Sequence, residues 1–195
     1  MIIDNVLPDK VFQSLQKEIF SREFPWFYGA KVDENTEPSS PFSYGWSHGI
    51  LSNFGKKSSS YNFVFPLITD VITKTGHDLS NVIQIRIKLN TIADNHYVQQ
   101  AHVDQVFPHW TGLLYMNDSD GNTIVYNERY DRASELHPFE YAKNTFNDQF
   151  TIKETVEPKA NRLLIFDGLQ YHSGTTPIST SRRVIINFNY VANQT

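Results

Sequence analysis

His102 and Asp104 stand two residues apart in the segment Ala101-His102-Val103-Asp104. On an extended chain, residues i and i+2 project to the same side, so an imidazole and a carboxylate are offered together. Two uses follow from that pair. One is a simple His–Asp hydrogen bond. The other is a pair of ligands to a divalent ion, which a third imidazole from another strand would complete as a facial two-histidine, one-carboxylate set with open positions. His172 is such an imidazole, in Gly168-Leu169-Gln170-Tyr171-His172-Ser173-Gly174, directly after the apolar run Leu163-Leu164-Ile165-Phe166-Asp167. Beyond it, Arg183 heads a final strand. There Val184, Ile186, Phe188 and Tyr190 alternate with Arg183, Ile185, Asn187 and Asn189. A guanidinium on that partly polar side suits a bidentate carboxylate, either a ligand's or that of a surface acid.

Composition narrows the chemistry further. The chain has 195 residues, no cysteine and seven histidines, so thiolate zinc sites, iron–sulfur clusters, disulfides and thiol nucleophiles are excluded. Any metal must bind nitrogen or oxygen. With 17 basic and 21 acidic residues the net charge is −4, without the electrostatic footprint of a nucleic-acid binder. No apolar run approaches the ~20 residues of a membrane span, and Met1-Ile2-Ile3-Asp4-Asn5 has no leader character. A soluble, cytoplasmic protein is the expectation. The length suits one domain, residues 1–195.

These residues have to be positioned by something. The 14 Phe, 10 Tyr and 3 Trp favour strands. Helical spacing is confined to the first third: Val11, Phe12, Leu15 and Ile19 after Pro8, and Val64, Leu67, Ile68, Val71 and Ile72 within about 63–75, with Pro66 near the first turn and Gly76 as the stop. The aromatic segments Phe24–Tyr28 and Pro41–Trp46 read as packed loop with short strands at most. From residue 81 the period becomes two, with Ile83, Ile85, Ile87 and Leu89 against a mostly polar side. Further strands are expected at 98–104, 111–117, 122–127, 149–156, 162–167, 170–174 and 183–191, with a hairpin turn at Asp118-Ser119-Asp120-Gly121. Helices followed by strands make an α+β, mainly β chain: a helical and loop support over 1–80 and a closed, jelly-roll-like core over 81–195. The segment 128–148 interrupts the strand rhythm, as a lid does. With the aromatic segments around Trp26 and Trp46, it is expected to wall the substrate side.

His102-x-Asp104, then His172, then an arginine heading the last apolar strand resemble the Fe(II)- and 2-oxoglutarate-dependent dioxygenases, most closely their prolyl-4-hydroxylase-like branch. The stretch Val156-Glu157-Pro158-Lys159-Ala160-Asn161-Arg162-Leu163-Leu164-Ile165-Phe166 is similar to the lead into that branch's distal histidine. The resemblance covers residues 82–191; the helices and aromatic loops before it resemble the family's variable N-terminal part only in kind, and a marine bacterial or phage member is the version it resembles. It implies a double-stranded β-helix (jelly-roll or cupin-like) core. It implies Fe(II) on His102, Asp104 and His172, 2-oxoglutarate on Arg183, and Tyr115, from Thr111-Gly112-Leu113-Leu114-Tyr115, on the same carboxylate. A core tyrosine with a satisfied hydroxyl is the equal alternative for Tyr115. Arg182 falls on the apolar side, so Arg183 is preferred. Where many relatives open the next strand with Gly-Gly, this chain has Asp120-Gly121-Asn122-Thr123. The implied reaction consumes O2 and 2-oxoglutarate, releases succinate and CO2, and hydroxylates a peptidyl or small-molecule substrate.

Two other classes remain open: a non-catalytic binding module or phage structural component on the same fold, and a cupin-type metalloenzyme that does not use 2-oxoglutarate. The five remaining histidines have plainer uses. His96 is not expected to converge with His102 on a metal. His109 is a rim or packing residue, and His48, His77 and His137 are loop residues.

Overall fold

The computed structural model describes residues 1–29, 44–134, 136–138, 140–142 and 150–193. Helix α1 (Asp9–Ile19) begins immediately after Pro8, whose carbonyl accepts from the amides of Val11 and Phe12. Its stripe of Phe12, Leu15 and Ile19 is buried. Helix α2 (Tyr61–Lys74) buries Val64, Ile68, Val71 and Ile72 and gives way to Gly76 at φ +80°. It starts two residues before the expected point. Pro66 therefore falls in the second turn, where the helix forgoes one backbone hydrogen bond.

Eleven strands are present among the described residues, in two antiparallel sheets. The larger contains β1 (Ile2–Ile3), β2 (Phe27–Gly29), β3 (Gly45–Ser52), β4 (Gly55–Lys56), β5 (Asp78–Thr91), β6 (Trp110–Tyr115), β9 (Leu163–Asp167) and β11 (Arg182–Asn193). Its order is β1-β9-β6-β11-β5-β3-β2, with β4 on β3. The smaller is β10 (Gln170–Gly174), β7 (Thr123–Arg129) and β8 (Ile152–Val156), in that order. The chain is mainly β, with the helices on one face of the larger sheet, and its fold is the jelly-roll-like double-stranded β-helix.

The period of two in β5 and β11 decides what lies on each face. Ile85, Ile87, Val184, Ile186 and Phe188 join the helix residues in one core, together with Leu114, Leu163 and Ile165. Between the sheets lies a second cluster of Leu113, Tyr115, Val125, Val156, Leu164, Phe166 and Ile185. On the helix face Gly112 sits beneath the Phe188 ring, where an added Cβ would fall inside contact distance of three ring carbons. Gly112→Ala is therefore expected to destabilise the protein by about 1–3 kcal/mol, the cost of overpacking a filled core. An unchanged thermal midpoint would contradict that packing.

Three expectations are corrected. Residues 98–104 form no regular strand and contribute only isolated bridges, Val98 to Thr175 and His102 to His172. Asp118–Gly121 is not a hairpin: β6 and β7 belong to different sheets, so the turn is a corner between them. Asp120 holds that corner by accepting from the amides of Ile178, Ser179 and Thr180. The aromatic stretch read as packed loop with short strands holds the short β2, as allowed, but also the start of the eight-residue β3, which extends the larger sheet past β5. Residues 30–43 and 143–149, with Glu135 and Phe139, lie outside the described residues. The longest described helix is too short to cross a membrane.

Candidate metal centre

The bridge between residues 102 and 172 assembles the site. His102 and His172 exchange both backbone hydrogen bonds at 3.0 Å, which makes them direct cross-strand neighbours with ring centroids 4.4 Å apart. Asp104, two residues along, reaches both. Its Oδ1 is 3.9 Å from His102 Nε2 and its Oδ2 is 3.9 Å from His172 Nε2. One ligand atom from each of the three converges within 4.8 Å. His102 Nδ1 donates to the Gln100 carbonyl at 3.0 Å and His172 Nδ1 to the Gln170 carbonyl at 3.4 Å. A carbonyl only accepts, so both rings carry their proton on Nδ1 and keep the Nε2 lone pair for a metal. Asp104 Oδ2 accepts from Asn187 Nδ2 at 3.1 Å and Asn189 Nδ2 at 2.9 Å.

Electrostatics keeps this donor set ready for a cation. Burial alone would raise the Asp104 pKa. His172 and His102 when protonated, the Lys88 charge and the Asn189 amide outweigh it and hold the carboxyl well below its usual range. Burial, and then the adjacent His102, push His172 down to about 3, against the opposing pull of Asp104. The sign of the resulting pH dependence follows. An imidazole with a folded pKa of about 3 and an unfolded value near 6.5 takes up its proton less readily when folded. The unfolded chain binds more protons as pH falls below 6.5, so metal-free protein loses stability across that window, by up to about 1.4 kcal/mol per pH unit. The melting temperature should fall between about pH 7 and about pH 5, and less steeply in His172→Gln. Equal slopes in the two proteins would contradict the assignment.

Arg183 lies in the same pocket. It is 3 % exposed, and its Nη2 donates to Thr123 Oγ1 at 2.7 Å. Tyr115 Oη donates to the same oxygen at 2.8 Å, and its ring centroid is 5.9 Å from the guanidinium carbon. Arg183 Nε is buried without a partner, and no carboxylate among the described residues pairs with this arginine. Arg182, by contrast, is exposed on the Phe20 ring. The pocket has about 340 Å3 of open space, shared by Arg183, Thr123, Gln99, Lys88, His102 and His172. Gly121, in Asp120-Gly121-Asn122-Thr123, lets the corner pass over Arg183. A Cβ there would stand 3.0 Å from Arg183 Cδ and 2.7 Å from the Thr175 carbonyl.

All five residues singled out from the sequence thus lie in or against one pocket. Asn187 and Asn189 were visible only as polar members of the Arg183 side of β11. Thr123, Gln99 and Lys88 carried no local signal: their place depends on which strands face one another. The remaining histidines are elsewhere. His96 Nδ1 donates to the Thr176 carbonyl, and His77 pairs with the Tyr190 hydroxyl at 2.7 Å. His109 donates to the Phe107 carbonyl against Gly168. His48 is no loop residue. It is buried on β3, between the Pro25 carbonyl and Ser58 Oγ. Among the described residues, neither Trp26 nor Trp46 is on the site side. Trp26 packs on the helix-face core, and Trp46 stands in register with Tyr28 and Leu89, on the side of β3 opposite Ser47. In the interrupting segment, Tyr130 and Tyr141 pack with Tyr126 and Tyr171 over the smaller sheet.

Neither a protein-family model nor a curated protein matches the sequence. Comparison of folds does find relatives, and they define the class of scaffold. HygX from Streptomyces hygroscopicus, solved with nickel and 2-oxoglutarate bound, is 15% identical with a TM-score of 0.60, over 97% of this chain and 81% of that one. A Trichoplax adhaerens prolyl hydroxylase, in complex with a hypoxia-inducible-factor peptide fragment, is 12% identical with a TM-score of 0.59, over 97% and 82%. The non-heme α-ketoglutarate-dependent epimerase SnoN from nogalamycin biosynthesis is 13% identical with a TM-score of 0.63, over 98% and 77%. This chain shares their fold.

Proposed function

We propose that the protein is an Fe(II)- and 2-oxoglutarate-dependent oxygenase that hydroxylates a peptidyl or small-molecule substrate. The observation that carries the reading is a buried arginine without a counter-ion among the described residues, in the same pocket as a convergent His-Asp-His set. A buried guanidinium lacking a carboxylate is costly unless a ligand supplies one. The nitrogen and oxygen donors suit a ferrous ion, and the facial arrangement leaves it open positions. The fold is one on which 2-oxoglutarate and a metal are bound in HygX.

His102, Asp104 and His172 would hold the metal, and Arg183 with Thr123 would hold the distal carboxylate of 2-oxoglutarate. Fe(II) with 2-oxoglutarate supplies O2 activation, with one oxygen atom going to the substrate and the other to succinate as CO2 leaves. Asn187 and Asn189 orient the Asp104 carboxylate, and the Gln100 and Gln170 carbonyls orient the imidazoles. Tyr115 fixes the Thr123 hydroxyl beneath the guanidinium. None of these groups has to move a proton. Hydroxylation is preferred to other outcomes on the likeness to a prolyl hydroxylase, although the same fold also serves an epimerase.

The decisive experiment measures 2-oxoglutarate binding to metal-loaded protein without O2, then succinate formation on admitting O2. Binding with slow, metal-dependent succinate release is expected. A protein that binds metal but not 2-oxoglutarate would be the cupin-type enzyme instead, and one that binds neither would be a binding module.

A further inference from the structure

A chain of hydrogen bonds runs outward from the carboxylate of the triad. Asn189 Nδ2 lies 2.9 Å from Asp104 Oδ2 and 3.1 Å from Thr111 Oγ1, so each of its two hydrogens has an acceptor. Asn189 and Thr111 are direct cross-strand partners on β11 and β6, which puts their side chains on one face. Both are fully enclosed, at 1% and 0% exposure. The other end of the amide, Asn189 Oδ1, is buried without a partner among the described residues. What orients this amide is therefore the pair of acceptors in front of its nitrogen.

The next link gives the chain a direction. His109 Nδ1 is 2.7 Å from the Phe107 carbonyl, and a carbonyl only accepts, so the His109 proton is on Nδ1 and Nε2 can only accept. Thr111 Oγ1, at 3.4 Å, is the donor to that Nε2. With its hydrogen committed to His109, the Thr111 oxygen faces Asn189 as an acceptor. A flipped amide would set Oδ1 against two acceptors, the Thr111 oxygen and the Asp104 carboxylate. The ring at the end of the chain is itself fixed. His109 is buried, its ring fills the space that a side chain on Gly168 would need, and the Gly168 amide donates to the His109 carbonyl at 2.9 Å.

We propose that Thr111 and His109 are positioning residues for the metal carboxylate. His109 takes the Thr111 hydrogen, Thr111 then accepts from Asn189, and Asn189 is left with one N–H, aimed at Asp104 Oδ2. The inference rests on the His-Asp-His set holding a metal, and it stands whether or not 2-oxoglutarate is used. It gives a histidine that sequence assigned to packing a part in the metal centre, although it touches no ligand of the metal.

The test uses full-length protein loaded with Co(II), whose visible absorption reports the ligand arrangement and whose affinity is read against a chromophoric chelator. Thr111→Val keeps the shape of the side chain and removes the hydroxyl. It should weaken Co(II) binding at least about threefold, less than the ~10–100-fold of a group touching a ligand because it acts one hydrogen bond further out. The Co(II) bands should shift with it, and Thr111→Ser should restore both. His109→Leu breaks the chain one link away and should shift the same bands in the same direction. In an Asn189→Ala background, Thr111→Val should add no further loss, since both act through one amide. A merely structural role would lower the melting temperature of metal-free protein and leave affinity and spectrum alone. Parent-like affinity in Thr111→Val, a parent-like spectrum in His109→Leu, or an undiminished extra loss in the Asn189→Ala background overturns the proposal. Failure of the parent protein to bind Co(II) would overturn the metal-centre reading instead.

Discussion

Arg183→Ala is expected to weaken 2-oxoglutarate binding by about thirtyfold to a few thousandfold, from the ~2–5 kcal/mol lost when one partner of a buried charge pair is truncated. The guanidinium is 3 % exposed, and its described hydrogen-bond partner is the neutral Thr123 hydroxyl. A ligand carboxylate would therefore be its counter-charge. Titration calorimetry under anaerobic conditions, with Ni(II) in the site, reads the change directly. A second measurement separates binding from structure. If Arg183 were a structural ion-pair partner, the alanine variant would lose stability without any ligand. Since it removes an uncompensated buried charge, the apo protein should lose no more than its packing, while the ligand-induced rise in melting temperature disappears. Arg183→Lys keeps the charge without the fork and should fall between the two. Unchanged affinity in Arg183→Ala would leave the triad without its co-substrate site.

Asp104→Ala has the other large effect. Asp104 is the one carboxylate of the triad, and both imidazoles approach it to 3.9 Å. Losing an outer-shell partner costs a metal site about 10–100-fold in affinity, so removing a direct anionic ligand should cost at least about 100-fold and abolish succinate formation. The substitution also takes the Oδ2 acceptor from the amides of Asn187 and Asn189, of which Asn189 keeps Thr111 Oγ1. Asn189→Ala is the graded control: the carboxylate remains, one of its two amide donors goes, and metal affinity should fall within the outer-shell range. Metal affinity is read by competition with a chromophoric chelator. An Asp104→Ala protein that held metal as tightly as the parent would exclude this carboxylate from the site.

What the amino-acid sequence determined by itself is local. Two-residue spacing put His102 beside Asp104, and alternation along residues 183–190 put Arg183 with Asn187 and Asn189 and turned Arg182 away. Both follow from the geometry of an extended chain, in which successive side chains take opposite sides. The helix stripes were equally readable, because 3.6-residue periodicity is a local property. Which side faces what was decided only by tertiary structure. His172 meets His102 through a bridge spanning seventy residues of sequence. Thr123 reaches Arg183 because the Asp118–Gly121 corner carries the chain from one sheet to the other. β3 was hidden because its glycines and polar residues follow no alternation, and it is held in the larger sheet by pairing with β5. The polar side of β5 looked like any solvated face. Only the facing of the two sheets brings its Lys88 and Asn90 into the pocket of the metal ligands, since strand pairing is a long-range choice that periodicity leaves open.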